Sequence, residues 1–226
     1  MTPTEERSLQ VLVIGSTKGT GNALVRQLLA DGIEVRAMVR DPAHQAGALE
    51  ALGATVVVGD LEGDLDGVAD GVDAVAFCAG SGSKTGPDAT LRVDLHGAVR
   101  IIDACTAAGV ERFVMLSSMA ADDPMRGNEP IRHYLAAMHA RDRILAASGL
   151  SATIVRPGGL THEPGTGRVR VGVPRLDTRG TIPRQDVAAV LARCLADDAT
   201  IGATFELLSG DTPIDDALAE VVAASG

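Results

Sequence analysis

The stretch VLVIGSTKGTGN, Val11 to Asn22, decides how the rest of the sequence is read. Its first four residues are apolar and largely β-branched, the composition of a strand buried on both faces of a parallel sheet. The run stops at Gly15, and Gly19 and Gly21 come after it. From Ala23 to Ala30 (ALVRQLLA) the apolar positions recur at helical spacing. A strand, a glycine-rich turn and a helix start make a place for a phosphate. Backbone N–H groups at a helix N-terminus lack intrahelical partners, and the helix dipole adds positive potential there. Glycines let the chain turn sharply and let a pyrophosphate approach the backbone. The spacing, Gly15-x3-Gly19-x-Gly21, differs from the plain G-x-G-x-x-G fingerprint, so the dinucleotide reading rests on the remainder of the chain as well.

Downstream of Asn22, strands and helices alternate. Glu34–Arg40 reads as a second strand, and Asp41-Pro42 caps a helix over 43–52. Thr55–Gly59 is a third strand, a short helix is expected around Leu65–Ala69, and Ala74–Cys78 is a fourth strand. A glycine-rich loop, Ala79–Pro87, precedes a long helix over 88–108; strand five is Arg112–Ser117, a helix spans 132–148, and strand six is Ala152–Arg156. Strands alternating with helices over 9–157 predict an α/β Rossmann fold, a doubly wound parallel sheet with helices on both faces and order 3-2-1-4-5-6. Ligands then sit at the carboxyl ends of the strands. Beyond Pro157 the pattern loosens, with a short strand at 168–171, a helix at 184–196, a strand at 204–208 and a last helix at 213–224. This tail is too short for its own core. We read 1–226 as one domain, with 158–226 a small C-terminal cap on the substrate side.

Composition bounds the function. The chain has 226 residues, enough to bury a sheet between two helix layers, and 46% are hydrophobic but only 2% aromatic, so the core is aliphatic. A net charge of −10 repels nucleic acid and anionic membranes. Cys78, Cys105 and Cys194 are scattered in apolar contexts without metal-ligand spacing, which reads as reduced core thiols of a cytoplasmic protein and as no metal site. The N-terminal MTPTEERSLQ is acidic and polar, unlike a signal peptide, and no apolar run approaches a membrane span.

Several residues then stand where chemistry is expected. Arg40, ending strand two, lies where the adenosine ribose of a dinucleotide goes; an arginine there suits the 2′-phosphate of NADP, while neighbouring Asp41 keeps NAD open. A solvated surface arginine is the plain alternative. Arg36 is mid-strand and expected to be structural. Asp60, after strand three, is placed to accept from the adenine amino group or to cap its own turn. Ala79 and Gly80 have no bulk, as close approach to a ribose requires, or simply make the turn. Ser118 ends strand five and Tyr134, the only tyrosine, opens the next helix, so both should face one crevice. Such a hydroxyl pair can polarise a carbonyl and deliver a proton as hydride arrives.

At this point the chain resembles the atypical short-chain dehydrogenases/reductases, the small NAD(P)-binding kind called sugar-nucleotide epimerase-like and akin to flavin and biliverdin reductases. The resemblance runs nearly end to end through VLVIGSTKGTG, EVRAMVRDP, VVVGDL, DAVAFCAGSGSKTG, VDLHGAVRIIDA, RFVMLSSMAADDP, HYLAAMHARDRIL, TIVRPGGLT and IPRQDVAAVLARCL. It implies that Gly15, Thr17, Gly19 and Thr20 hold the pyrophosphate and that Arg40 takes the 2′-phosphate. It further implies Asp60 and Leu61 at the adenine, and Ala79, Gly80, Pro157 and Gly158 near the ribose and nicotinamide. Catalysis, by the same likeness, belongs to Ser118 as substrate orienter and Tyr134 as proton donor. Lys18 stands where many such proteins have glycine and could contact a phosphate or be solvated.

The departure is in the helix of Tyr134. Relatives with the full set carry Tyr-x-x-x-Lys; here the fourth position on is Met138. Methionine neither holds the nicotinamide ribose nor lowers the tyrosine pKa, which in water is about 10. Neutral tyrosine still serves proton donation, whereas alcohol oxidation needs tyrosinate. His133 and His139 read as ordinary helix histidines rather than substitute bases, His162 is the better substrate contact, and Arg184 and Asp186 read as caps of their helix. The sequence thus predicts an NADPH-preferring reductase of a small carbonyl, quinone or flavin-like molecule, monomeric or homodimeric. The alternatives are an NADP-binding protein without redox turnover, and a sugar-nucleotide epimerase, against which Met138 and the short tail both count.

Overall fold

The computed structural model describes residues 9–82 and 85–225. The reading of the first residues as an acidic, non-signal N-terminus and the Ser83-Lys84 part of the loop after strand four lie outside them. β1 (Gln10–Ile14) is central, paired in parallel with β2 (Glu34–Val39) on one side and β4 (Ala74–Phe77) on the other. β3 (Thr55–Val58) lies outside β2, and β5 (Arg112–Leu116) and β6 (Ser151–Pro157) continue beyond β4, all parallel. This is the expected 3-2-1-4-5-6 order, and the strand-order reversal between β1 and β4 opens the crevice at their carboxyl ends.

The alternation of side chains along β1 sets the two cores. Val11 and Val13 face one layer with Leu24, Val25 and Leu28 of α1 (Gly19–Ala30); Leu12 and Ile14 face the other with Ile101, Ile102 and Leu145. These four of the five β1 residues are fully buried, as a strand covered on both faces requires. The second layer holds α4 (Ala98–Ala108) and α5 (Arg132–Ala147). α2 (Pro42–Glu50) starts with proline in its first turn, where the missing N–H costs nothing. The long helix expected over 88–108 runs from a first turn, α3 (Pro87–Ala89), through a π-helical stretch at Thr90–Gly97 into α4. That stretch turns Asp94 inward, where its carboxylate accepts the Ser81 N–H at 3.0 Å.

Two expectations change. Leu65–Ala69 forms turns, Val68 N–H to Leu65 C=O and Asp70 N–H to Gly67 C=O, rather than a helix. Gly67 and Gly71 sit at positive φ, which breaks the helical path. The tail, expected to lie over the strand ends, instead joins the sheet. β10 (Thr204–Ser209) pairs in parallel with β6, β8 (Arg168–Gly172) runs antiparallel to β10, and β11 (Thr212–Pro213) antiparallel to β8. Phe205 and Leu207 therefore share the core of β1, as do Val187 and Leu191 of α6 (Arg184–Ala196) and Leu218 and Val221 of α7 (Ile214–Ser225). A separate parallel pair, β7 (Gly159–Thr161) with β9 (Thr181–Pro183), comes after β6 and leads into α6. A glycine-rich segment with strands of three residues announces neither.

Candidate active site

α1 begins with its phosphate-facing end open. Its N-cap, Lys18, makes no side-chain cap, and the first turn holds no acidic residue. The turn before it is held from below: Ser16 Oγ donates to the Met38 carbonyl at 2.9 Å, and Asn22 Nδ2 to the Ser16 carbonyl at 3.2 Å. Its three glycines divide by use. A Cβ on Gly15 would stand 2.6 Å from the Ala79 nitrogen, and one on Gly21 2.1 Å from the Gly15 carbonyl oxygen, so both are consumed by packing β1, α1 and β4 together. Gly19, at φ +61, faces space whose nearest atoms are Cδ and Nε of Arg184 at 4.0 Å.

That space is a cavity of about 180 Å³ between the starts of α1 and α6, lined by Gly19, Ala23, Thr161, His162, Arg184 and Gln185, with Glu163 the one acidic residue at its edge. Three buried polar atoms without partners belong to residues at these helix starts and the strand end beside them: Thr20 Oγ1, Thr161 Oγ1 and Arg184 Nε. An uncapped helix start, a bare Cα and unpaired donors together fit a pyrophosphate. Thr17 and Lys18 are exposed beside them. Asp186, expected to cap α6, does other work: its carboxylate accepts the N–H groups of Thr166 at 2.9 Å and Gly167 at 2.8 Å, anchoring the loop beyond His162.

On the adenosine side, Arg40 is exposed and its guanidinium has no partner among the described residues; only its backbone N–H is engaged, by Gln45. Asp41 is already paired with His44, Oδ2 to Nδ1 at 2.7 Å. Arg36 bonds the Asp70 carbonyl and Gln10, the structural part expected of it. Asp60 Oδ1 accepts the Glu62 N–H at 3.0 Å, so it does cap its own turn, while Leu61 turns its side chain into the core against Gly97. Leu61 therefore offers the crevice backbone only. At the strand ends, a Cβ on Gly80 would meet the Asp94 carboxylate at 2.9 Å and one on Gly158 the Leu208 side chain at 2.4 Å. Their bareness is used by the protein itself. Ala79 is half-buried beside Gly15, and the Pro157 carbonyl accepts the Met119 N–H at 2.9 Å, closing the Ser118 loop onto β6.

Ser118 and Tyr134 come near one another, close enough for the serine hydroxyl to act on the phenol, while Ser118 Oγ itself donates to the Met119 carbonyl at 3.4 Å. Tyr134 packs against the cluster of Ala121, Ala137 and Met138, as Leu95 also does. Burial pushes its phenol above the ordinary value; the Arg141 charge pulls it down, Asp94 pushes it up, the Ser118 hydroxyl pulls it down and Asp142 pushes it up. Met138 is fully buried, so no side chain at that position reaches a ribose as it stands. His139 Nδ1 lies 2.7 Å from the Ala121 carbonyl and is structural, and His133 and His96 are exposed.

Sequence reasoning missed a buried layer beneath this pair. Arg141, 2% exposed, donates to the carbonyls of Leu116 at 2.6 Å and Asp94 at 3.3 Å, with its guanidinium 5.6 Å from the centre of the Phe77 ring. Asp142 accepts from Ser117 Oγ at 2.8 Å and Arg156 Nε at 2.9 Å. Glu206, fully buried on β10, accepts the N–H groups of Ala120 and Leu176 at 2.9 and 2.8 Å. In sequence these look like surface charges. The one signal was position: Arg141 falls two turns after Tyr134 on the same helix face. Among the described residues no group of three or more metal-ligating side chains gathers, and no helix is long and apolar enough to cross a membrane.

Comparison with known proteins agrees with this geometry. Residues 15–198 match the family described as NAD(P)H-binding. A Bacillus subtilis (strain 168) protein named an uncharacterized sugar epimerase, YhfK, is 44% identical over 215 residues, covering 93% of this chain and 99% of its own. A Bacillus halodurans structure provisionally named an NAD-dependent epimerase/dehydratase superposes with a TM-score of 0.91 at 41% identity, over 94% of this chain and all of that one. The oxidoreductase YlbE of Lactococcus lactis superposes at 0.84 with 26% identity, over 96% and 99%. The chain belongs to this NAD(P)H-binding family of Rossmann-fold proteins, with neighbours named as an epimerase/dehydratase and an oxidoreductase, and its cofactor is a nicotinamide dinucleotide.

Proposed function

We propose that this protein is an NADPH-preferring reductase of a small carbonyl, quinone or flavin-like acceptor. The observation that carries it is the Ser118–Tyr134 hydroxyl pair at the carboxyl end of β5, two strands along the sheet from β1, whose carboxyl end leads into the open start of α1. When bound, the cofactor supplies hydride. The chain's residues do the rest: Gly19, Thr20 and Arg184 hold the pyrophosphate, with Lys18 and Thr17 at its edge, and Ser118 orients the acceptor. Tyr134 gives its phenolic proton to the acceptor heteroatom and recovers one from water. Arg40, unpartnered among the described residues, with Asp41 already occupied by His44, supports the 2′-phosphate of NADP over NAD. The loop and β7–β9 pair near Thr161 and His162 form the substrate side.

The raised Tyr134 pKa supports proton donation over base chemistry. Epimerisation, which the name of the Bacillus subtilis relative suggests, requires a tyrosinate and is disfavoured by it. One observation favours a second reading, an NADP-binding protein without turnover: Met138 is sealed where a lysine would hold the ribose. We place the protein in the cytoplasm on its three unpaired cysteines, acting as a monomer or homodimer on a small molecule, not on nucleic acid or membrane.

The test is a titration with NADPH and NADH, then an acceptor panel. Tight NADPH binding with steady oxidation by a quinone, flavin or carbonyl supports the reductase. Tight binding with no turnover across the panel supports the second reading. No binding of either dinucleotide overturns both.

A further inference from the structure

Tyr134, Met138 and Arg141 lie at i, i+4 and i+7 on α5, one above another on a single face. Met138 fills the middle of that face with no exposure. Arg141, a turn deeper, is the only one of the three that carries charge. Its guanidinium is nearly sealed from water and lies against the Phe77 ring, a favourable face for a cation. Its hydrogen bonds go to two carbonyls, those of Leu116 and Asp94, and its Nε has no partner. The nearest carboxylate oxygen, Asp142 Oδ1, stands 4.0 Å from that Nε, and the other Asp142 oxygen is committed to Ser117 and Arg156. A guanidinium buried without a hydrogen-bonded carboxylate keeps a field that water does not screen.

We propose that Arg141 is the positioning residue of the Tyr134 site, a buried cation that supplies from one helical turn deeper the positive charge that Met138 does not. Its two carbonyl contacts bind together the elements around the tyrosine. Leu116 leads into the Ser118 loop, and Asp94 sits on the π-helical stretch against Gly80 and Ser81. Its charge stabilises the phenolate that Tyr134 becomes when its proton leaves for the acceptor and before water returns one. This rests on the reading of Tyr134 as proton donor, but the electrostatic claim is testable without any ligand. The groups facing Tyr134 are Arg141 and Asp142 on its own helix, Asp94 from the π-helical stretch and Ser118 from the loop. His139 is turned to the Ala121 carbonyl and His133 is exposed.

Because the chain has one tyrosine and no tryptophan, ultraviolet phenolate absorbance titrates Tyr134 alone. The experiment titrates the full-length protein without ligand as wild type, Arg141→Gln and Arg141→Lys, with circular dichroism as the fold check at each pH. Glutamine keeps hydrogen-bond donors toward the two carbonyls and removes the charge; lysine keeps the charge. The expected result is a phenolate pKa raised by about one unit or more in Arg141→Gln and close to wild type in Arg141→Lys. A folded Arg141→Gln that titrates with the wild type overturns the proposal. Should Arg141→Gln not fold, Met138→Lys added to it returns a cation to the same face and must restore both fold and titration; failure to do so overturns the proposal equally. If the shift is found while Tyr134→Phe retains full reductase activity, the electrostatic assignment stands and the proton-donor reading falls.

Discussion

Glu206 on β10 holds the backbone of Ala120, its Oε1 accepting the Ala120 N–H at 2.9 Å across 86 positions of sequence. Ala120 is the one non-glycine residue at positive φ among the described residues, two positions after Ser118. A left-handed alanine costs about 1–2 kcal/mol and persists only where its surroundings fix it. Glu206 fixes it, and by also taking the Leu176 N–H it ties that loop to the Ser118 loop. Replacing Glu206 by alanine leaves the buried Ala120 N–H and the part-buried Leu176 N–H unpaired, an unsatisfied buried group costing about 1–3 kcal/mol and the more exposed one less. Urea unfolding of Glu206→Ala should show a loss of about 2–5 kcal/mol, with the mildest substitution, glutamine, retaining one acceptor and losing less.

Gly15 and Gly19 should respond differently to the same change. Gly15→Ala places a Cβ 2.6 Å from the Ala79 nitrogen at φ +84, so it should cost about 3 kcal/mol or more of stability. Gly19→Ala meets only the Arg184 side chain at 4.0 Å, and its strain is about 1–2 kcal/mol. Its methyl stands in the cavity, so NADPH affinity should fall about tenfold or more while the protein stays folded. Thermal melts and cofactor-fluorescence titrations read the two effects separately.

Arg40→Ala should weaken NADPH binding by about 10–100-fold, the worth of a charge-assisted bond to a phosphate, and leave NADH affinity within about twofold. Equal losses for both dinucleotides would remove Arg40 from the 2′-phosphate.

Tyr134 gives a pH signature. Its phenol is raised above about 10, so the donor form, which is the protonated one, persists through neutral and mildly alkaline pH. Reductase kcat/KM should therefore carry no descending limb from this group below about pH 10 and should fall above it. A limb near pH 7 or 8 that disappears in Tyr134→Phe would contradict the assignment.

The three cysteines should be chemically quiet, Cys105 and Cys194 because they are buried and the half-buried Cys78 because its thiol is pushed as far up. Burial pushes Cys78, Cys105 and Cys194 up to about 12. At pH 8 the thiolate fraction of each is then on the order of 1 in 10,000. A thiol-reactive chromophore should label none of them in the native protein over minutes and all three after unfolding in denaturant.

The sheet from β1 to β6 was legible in the sequence because each strand is a short apolar run and every connection but that from β3 to β4 carries a helix. Ser118 and Tyr134 were legible because strand five and the start of the next helix must open on one crevice. What escaped was whatever depended on distant partners. Arg141-Asp142 in RHYLAAMHARDRIL has the look of a solvated helix face, and only the three-dimensional packing of Phe77, Asp94 and Arg156 shows it buried. Leu65–Ala69 had apolar residues at helical spacing, but Gly67 within it and Gly71 beyond it, both at positive φ, won over the pattern. β8 was legible as a strand at 168–171, but its antiparallel pairing with β10, and the two-residue β11 that pairs with it, are announced by no local composition.

The sheet order also dictates when the chain can assemble its crevice as it is synthesised. β1 must wait for residues 74–77 before its second neighbour exists, although α1 and β2 come directly after it. Ser118 and Tyr134 are made near the middle of the chain, yet the carboxylate that locks their loop arrives at residue 206 and the sheet edge beyond it at residue 213. Loop closure over such separations is slow and is rewarded only once the last contacts form. A nascent chain halted before β10 holds a nucleotide turn already packed on its strand and a hydroxyl pair not yet fixed. The strand-turn-helix half of the nucleotide site is thus made early, while its Arg184 half and the lock on the Ser118 loop come late.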